Sequence, residues 1–500
     1  MSPVNSPLTS QSQFVHDWLQ QIHIAFLPGE ESGPLANQVV NGMLDEFRRL
    51  GHAVQDRPDN NTNILLTTAV YGKAIPWRKS LGLTCRVLYN IERTPSFFTL
   101  IHIRPDELKE ILAHFEQALA KDPIDLKDYE FPGLAESAYH VLYEQSKRGG
   151  PILGLERLLQ AQAKSLNVLL LVGDEHAEGI YHFDLVGAYP YSDAQDPGAF
   201  YRDIVLRMVT RVSTHEVTDH TPTGEPVSEA VWKSLESPGA MVNAARELDK
   251  RHFFTEMVRI EDLVHVPVIS DSVSSQYSEG CFATWDTNIN ALIATITGSA
   301  RPVNKGEITD DDLAVITGVR EDHQGTLVRY VEGKANYPPS SEAVEMIDMI
   351  LSLPQIAKES AGAAPSGVVP GGVIPMVRSV LHGHRGISAF NPERVEFVPL
   401  DPPYYHYPVT CATEAQATGI RSAFIRSQAL NNPEDPRHLA FTVLPTHGVV
   451  MAEKWVPGKM PFQLIWEYFD SGDLVLDSHV PQRLVEFIKA DGKMALNGTG

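Results

Sequence analysis

Short apolar runs alternate with amphipathic stretches through the first third of the chain. The run at 22–27 precedes a stretch in which apolar residues recur at steps of three and four from Leu35 to Phe47, and Gly51 follows. This spacing predicts a helix ending at the glycine, and the short runs rich in β-branched residues predict strands. The alternation continues with predicted strands at 64–68 and 97–103 and a predicted helix at 107–120. It indicates a mostly parallel sheet with helices on both faces.

The pattern changes further along the chain. The run at 167–173 is typical of a buried strand, the apolar segment at 289–296 is predicted to be a helix, and 313–319 with 326–332 predict a hairpin. Short β-type runs become frequent after a segment rich in Pro, Gly, Ala and Ser. The predicted fold class is therefore α/β: two Rossmann-like parallel-sheet domains at 1–150 and 151–352, a Pro/Gly-rich linker at 353–375, and a β-rich C-terminal domain at 376–500.

Charge and cysteine content narrow the class of protein. Lys and Arg number 41 against 63 Asp and Glu, which gives a net charge of −22 and disfavours nucleic acid and anionic membranes as partners. The three cysteines show no metal-binding or disulfide spacing, no signal peptide is recognisable, and no apolar run reaches the length of a membrane helix. We expect a cytoplasmic protein with a small-molecule substrate. Sheet-rich folds often assemble, so a homo-oligomer is a further expectation.

The densest candidate for chemistry is the segment from Glu279 to Asp286, which runs into the apolar stretch at 289–296. Its two carboxylates are seven residues apart. If the segment is extended and Asp286 opens a helix, both carboxylates can face one cleft, with Trp285 as a substrate contact. The alternative is that Asp286 only caps the helix and Glu279 is solvated.

Histidines are concentrated near the C-terminus. His382, His384 and Arg385 alternate with glycines, which predicts a loop whose backbone approaches another group closely and which contacts an anion or a sugar. His447 stands beside Gly448 between two β-type runs, as expected at a turn or strand end. The alternative for each histidine is a purely structural role.

One stretch resembles the L-fucose and L-arabinose isomerase superfamily. The resemblance rests on His447 and on a series that consists of Asp286, Ala291-Leu292, Thr297-Gly298 and Arg301-Pro302-Val303. It implies two α/β domains followed by a β-rich domain, and a metal-dependent aldose–ketose isomerase with Glu279, Asp286 and His447 as metal ligands. Glu279 is the nearest match for the family's upstream ligand, and Glu256 is the alternative.

Two carboxylates and one imidazole suit Mn²⁺, Mg²⁺ or Co²⁺. Such an ion would acidify the hydroxyl-bearing carbon of a sugar or polyol and stabilise an enediolate, while Glu279 or Asp286 moves the proton. Two rival functions remain open. One is a glycosyltransferase-like nucleotide-sugar enzyme, suggested by the opening strand–loop–helix; the other is a non-catalytic binding or assembly protein whose acids and histidines are solvated.

Overall fold

A computed structural model divides the chain into two compact units. Unit 1 comprises Met1–Ser213, Met257–Ser275 and Ser478–Gly500, and unit 2 comprises Thr214–Glu256 and Gln276–Asp477. The structure describes residues 21–29, 33–71, 81–92, 95–120, 154–156, 158–159, 168–173, 179–183, 188–191, 197–213, 220–257, 277–298, 301, 303–321, 325–354, 374–401, 404, 414–444 and 447–476.

Unit 1 is built on a seven-stranded sheet in the order β2-β1-β3-β4-β5-β6-β7. Its strands are β1 (His23–Leu27), β2 (Ala53–Gln55), β3 (Ile64–Val70), β4 (Ser96–Ile103), β5 (Val168–Val172), β6 (Ile180–Phe183) and β7 (Ala188–Pro190). Its helices include α1 (Pro34–Arg49), α2 (Leu81–Tyr89), α3 (Pro105–Leu119) and α4 (Pro197–Ser213). Strands β1 to β5 are parallel, and β6 and β7 are antiparallel additions, so the predicted mostly parallel sheet of this region is confirmed.

Local sequence explains how α1 is delimited. Pro34 stands at its first position, where the missing N–H costs nothing, and Arg48 and Arg49 complement the negative end of the helix dipole. Gly51, with φ 86°, ends the helix in a Schellman motif: its N–H donates to the Arg48 carbonyl at 3.0 Å, and the His52 N–H donates to the Phe47 carbonyl at 2.9 Å. The predicted stop at Gly51 is therefore confirmed.

Unit 2 contains a nine-stranded sheet in the order β17-β18-β19-β15-β11-β12-β13-β14-β8. The later strands are β8 (Thr221–Pro222), β9 (Thr255–Met257), β10 (Tyr277–Glu279), β11 (Cys281–Asp286), β12 (Ala291–Thr295), β13 (Leu313–Val319), β14 (Thr326–Arg329), β15 (Val377–Gly383), β16 (Ile387–Phe390), β17 (Val395–Phe397), β18 (Leu439–Leu444), β19 (Gly448–Lys454) and β20 (Leu474–Leu476). Its helices include α5 (Glu229–Ser234), α6 (Ser237–Asp249), α7 (Ala343–Ser352), α8 (Glu414–Ile425), α9 (Gln428–Asn431) and α10 (Gln463–Ser471), with short 3-10 helices at Lys305–Glu307 and Asp310–Asp312.

The architecture is mixed α/β, as expected, but its division differs from the predicted one. The first sheet carries strands from both sides of residue 150, and the nine-stranded sheet carries strands from both sides of the predicted linker. Within that linker, residues 355–373 lie outside the described residues. Strands β11 to β14 are antiparallel, so this region is not a second parallel domain.

Side-chain alternation along the strands of unit 2 gives its sheet two buried faces. Ala283 and Trp285 of β11 pack with α7 and α8 on one face, whereas Phe282 packs with α6 and α10 on the other. Both faces are apolar, which explains why the run at 289–296 has no strand-like alternation and was predicted to be a helix. That prediction is wrong: the run forms β12 (Ala291–Thr295), which pairs with β11 in a hairpin.

No helix among the described residues has both the length and the apolar character needed to cross a lipid bilayer.

Candidate metal centre

Four side chains converge at one end of the nine-stranded sheet. Each offers one ligand atom, and these atoms all lie within 4.8 Å of one another; the residues, here called the His–Glu cluster, are Glu342, His382, His384 and His447. The imidazoles are 1 %, 4 % and 6 % exposed, in that order, so the cluster is a buried group able to hold a metal ion.

Two neighbouring strands and their ends supply the three histidines. His382 lies near the end of β15, directly opposite Cys281 of β11 and Val450 of β19. His384 follows β15, and His447 precedes β19 in the turn from β18, where its N–H donates to the Leu444 carbonyl at 3.1 Å. Because β15 and β19 are antiparallel neighbours, the end of one and the start of the other meet at the same edge.

A close backbone approach brings the two loop histidines together. Gly448 has φ 146°, and a Cβ atom there would lie 1.9 Å from the Gly383 carbonyl oxygen and 2.7 Å from the His384 Cα. Only glycine fits such a position. His382 and Gly383 belong to β15, so the predicted loop begins only at His384. The predicted close approach of the backbone is found between Gly383 and Gly448, beside His447.

The three imidazole rings have the mutual spacing of ligands around one ion. Their centroids are 5.0 Å apart for His382 and His384, 4.7 Å for His382 and His447, and 5.0 Å for His384 and His447. With nitrogen–metal bonds of about 2.1 Å, ring centres lie ~3.2 Å from the ion, and rings at ~90–110° are ~4.5–5.2 Å apart. The observed spacings fall within this interval.

A backbone hydrogen bond fixes the tautomer of His382. Its Nδ1 lies 3.0 Å from the Val449 carbonyl oxygen, which can only accept, so Nδ1 carries the proton. In a neutral imidazole the lone pair is then on Nε2. Metal-binding histidines are commonly oriented by a carbonyl in this way.

Glu342 enters the cluster from the residue before α7. The Ser340 hydroxyl donates a hydrogen bond to its Oε2, and the Ser341 hydroxyl lies 3.5 Å from the same oxygen. The Ser340 N–H donates to the Thr295 carbonyl at the end of β12, at 2.8 Å, which ties this segment to the sheet edge. The carboxylate is therefore held in place through its Oε2.

The Cys281 thiol, across the strands from His382, is not a member of the cluster. Burial, reinforced by the negative charge of Glu342, raises the pKa of this thiol to about 12. The thiol is neutral at physiological pH and packs 3.6 Å from the Met346 sulfur. It serves as a core side chain.

Asp286 lies at the opposite end of β11. Five residues at ~3.3 Å each place it ~17 Å along the strand from Cys281, and hence from the His382 end. Its Oδ1 accepts the N–H groups of Asn288 at 2.9 Å and Ile289 at 3.4 Å, so it caps the β11–β12 turn. The predicted role of Asp286 as a metal ligand depended on a helix at 289–296, and it is wrong. Asp286 caps a turn instead.

The other predicted residues have different outcomes. The backbone of Glu279 ends β10 at the same end of β11 as His382, but its side chain lies outside the described residues. Trp285 is buried in the core against α7 and α8, so the prediction that it contacts a substrate is wrong. Arg385 is buried and donates from Nη1 to the His252 carbonyl at 3.0 Å. Its contact with a substrate stays a prediction.

Of the predicted trio Glu279, Asp286 and His447, His447 belongs to the cluster and Asp286 does not, while the side chain of Glu279 lies outside the described residues. His382 and His384 were predicted to contact substrate, and the structure instead places them beside His447. Glu342 was missed. Its one signal is a Ser-Ser-Glu sequence directly before an apolar helical stretch, which is typical of an ordinary helix start.

No protein-family model matches the chain, and no curated protein sequence matches it.

Proposed function

We propose that the protein is a metal-dependent enzyme that acts on a small sugar-like or polyol substrate, with its metal held by Glu342, His382, His384 and His447. The observation that carries this proposal is the convergence of three buried imidazoles and one carboxylate within 4.8 Å. Three buried imidazoles beside one half-buried carboxylate form a set of nitrogen and oxygen donors of the kind that a divalent transition metal binds.

The ligand set argues for a first-row transition metal. Imidazole nitrogen suits Zn²⁺, Fe²⁺, Ni²⁺ and Cu²⁺, whereas Mg²⁺ prefers oxygen ligands. The sequence-based choice of Mn²⁺, Mg²⁺ or Co²⁺ assumed two carboxylates and one imidazole. The cluster instead offers three imidazoles and one carboxylate. Co²⁺ and Mn²⁺ therefore stay in the proposal, and Mg²⁺ becomes the least suitable of the three ions.

The proposed reaction is an aldose–ketose isomerisation. Three neutral imidazoles and one carboxylate leave a divalent ion with a net charge of about +1, and four protein ligands leave two positions of an octahedron for the substrate. Adjacent carbonyl and hydroxyl oxygens would fill them. A base then moves the proton from the hydroxyl-bearing carbon to its neighbour through an enediolate, a hydroxyl proton passes between the oxygens, and no redox cofactor is consumed.

Glu279 is the proposed base. It directly precedes Gly280 and Cys281, and Cys281 lies opposite His382 in the β11–β15 register. This backbone position is at the cluster end of the sheet, whereas Asp286 is at the other end. Of the two carboxylates that the sequence predicts for moving the proton, Glu279 is therefore the one on the side of the cluster.

Metal content and affinity test the centre. We expect the purified protein to contain about one transition-metal ion per chain by elemental analysis, and stripped protein to rebind Co²⁺ far more tightly than Mg²⁺ in a calorimetric titration. His447→Ala should abolish binding. The matched control is His438→Ala, because His438 precedes β18 and lies about 20 Å along that strand from the end that carries the cluster. This variant should bind Co²⁺ as the wild type does. Stoichiometric binding that survives His447→Ala would refute the centre.

Turnover separates the proposed enzyme from its rivals. The Co²⁺-loaded protein should interconvert an aldose and its ketose in a panel of small sugars, and the stripped protein should not. A thermal shift with nucleotide sugars but no isomerisation would favour the transferase alternative. A large drop in melting temperature on metal removal, with no turnover of any sugar, would identify a structural ion and a non-catalytic protein.

A further inference from the structure

We infer that Gln416 is a positioning residue that fixes the tautomer of His447 for metal binding; this inference rests on the proposed metal centre. Gln416 lies in the first turns of α8, is 4 % exposed, and places its side-chain Nε2 3.0 Å from His447 Nδ1. Gln416 is not a member of the His–Glu cluster, and its side-chain amide contacts one ring nitrogen of His447.

The chemistry of the pair sets two alternative states. When the amide NH₂ donates to Nδ1, Nδ1 is the acceptor and the proton of a neutral ring must sit on Nε2. When the amide oxygen faces Nδ1, the ring donates from Nδ1 and its Nε2 carries the lone pair that a metal requires. A half-turn about the last side-chain bond of Gln416 exchanges these states, because the amide nitrogen and oxygen have nearly the same size and shape.

The same requirement is already met at His382, by a different group. There the Val449 carbonyl can only accept, so the metal-competent tautomer is permanent. At His447 the partner is an amide, which can donate or accept. Metal binding at His447 therefore selects one orientation of Gln416, and the residue acts on the metal through the histidine, as outer partners of metal-bound histidines do.

Three variants of the full chain test this role. Gln416→Met keeps the length and shape of the side chain but removes its acceptor, and we expect Co²⁺ affinity to fall about 10–100-fold. Gln416→Glu restores an acceptor facing Nδ1, and we expect its affinity to stay within about threefold of wild type. Gln428→Met, in the exposed first residue of α9, is the matched control and should change nothing.

Calorimetry gives the affinities, and the visible absorption of bound Co²⁺ reports the ligand field; circular dichroism verifies folding before metal is added. A purely structural Gln416 would give equal affinities for Gln416→Met and wild type, or equal losses for Gln416→Met and Gln416→Glu, and either result overturns the inference. Should Gln416→Met not fold, Gln416→Glu decides alone: a loss of tenfold or more refutes the role. Absence of Co²⁺ binding by the wild type would instead refute the metal centre itself.

Discussion

The glycine beside His447 offers the sharpest perturbation of the candidate centre. In Gly448→Ala the new Cβ would meet the Gly383 carbonyl oxygen at 1.9 Å, and such contacts are essentially never shorter than 3.0 Å, so the two backbones must separate by at least 1.1 Å. Metal–ligand distances tolerate only about ±0.2 Å. The required separation is several times larger, and it moves His447 away from His384.

We therefore expect Gly448→Ala to lose about 100-fold or more in Co²⁺ affinity, which corresponds to about 2.7 kcal/mol or more. Gly458→Ala separates this effect from the general cost of an alanine at positive φ. Gly458 has φ 77° with nothing within 4 Å of an added Cβ, so its substitution should cost about 1–2 kcal/mol of stability and leave metal affinity unchanged.

The assay is a calorimetric Co²⁺ titration of stripped protein, paired with urea unfolding in the absence of metal. A folded Gly448→Ala protein that binds Co²⁺ within threefold of wild type would show that His384 and His447 do not ligate one ion together. Equal loss of affinity in both glycine variants would show that the effect comes from lowered stability and not from the separation of the two histidines.

Three further outcomes are expected. Glu279→Gln should keep Co²⁺ affinity and lose at least about 100-fold in sugar isomerisation rate; unchanged turnover removes Glu279 as the base. Asp286→Ala should lower the free energy of unfolding by about 1–2 kcal/mol, because two turn N–H groups lose their acceptor, without changing metal affinity; lost binding would restore Asp286 to the site. Burial raises the pKa of Glu453 to about 7 despite hydrogen bonds from the N–H groups of Phe462 and Leu464. The folded state then holds this proton more tightly than the unfolded chain does. The free energy of unfolding therefore falls as pH rises from about 4.5 to 7, by up to about 3 kcal/mol. Urea unfolding at several pH values should show this fall in the wild type and not in Glu453→Gln.

Sequence patterns were most informative where one periodicity was unambiguous. The amphipathic α1 with its terminal Gly51, the buried strand β5, and the β13–β14 hairpin all follow local rules and were predicted. The run that forms β12 was predicted wrongly, because a strand buried on both faces has no alternation and local spacing cannot distinguish it from a buried helix. The predicted domain boundaries also differ from the observed units. Strands that pair in one sheet can be far apart in the sequence, and local spacing does not show such pairing.

The candidate site was predictable in its histidines but not in its carboxylate. The glycines that alternate with His382 and His384 predict a close backbone approach, and Gly448 beside His447 predicts a turn or strand end. The local sequence marks Glu342 only as an ordinary helix start and not as a ligand, because its place beside the histidines depends on how the chain returns from β14 to α7. Asp286 is an attractive candidate only if the segment after it is a helix, and the structure shows a strand there.

The ligands of the cluster are far apart in the sequence: Glu342 and His447 are 105 positions apart, and strands β15 and β19 must be paired before their histidines meet. In an unfolded or partly folded chain these four side chains are therefore apart, and an ion can bind only one of them at a time. Any free ion present at a hundred times its dissociation constant would favour the finished sheet by about 2.7 kcal/mol. If the cluster binds an ion as proposed, we expect the metal content of freshly made protein to measure the fraction of molecules in which β15 and β19 have paired.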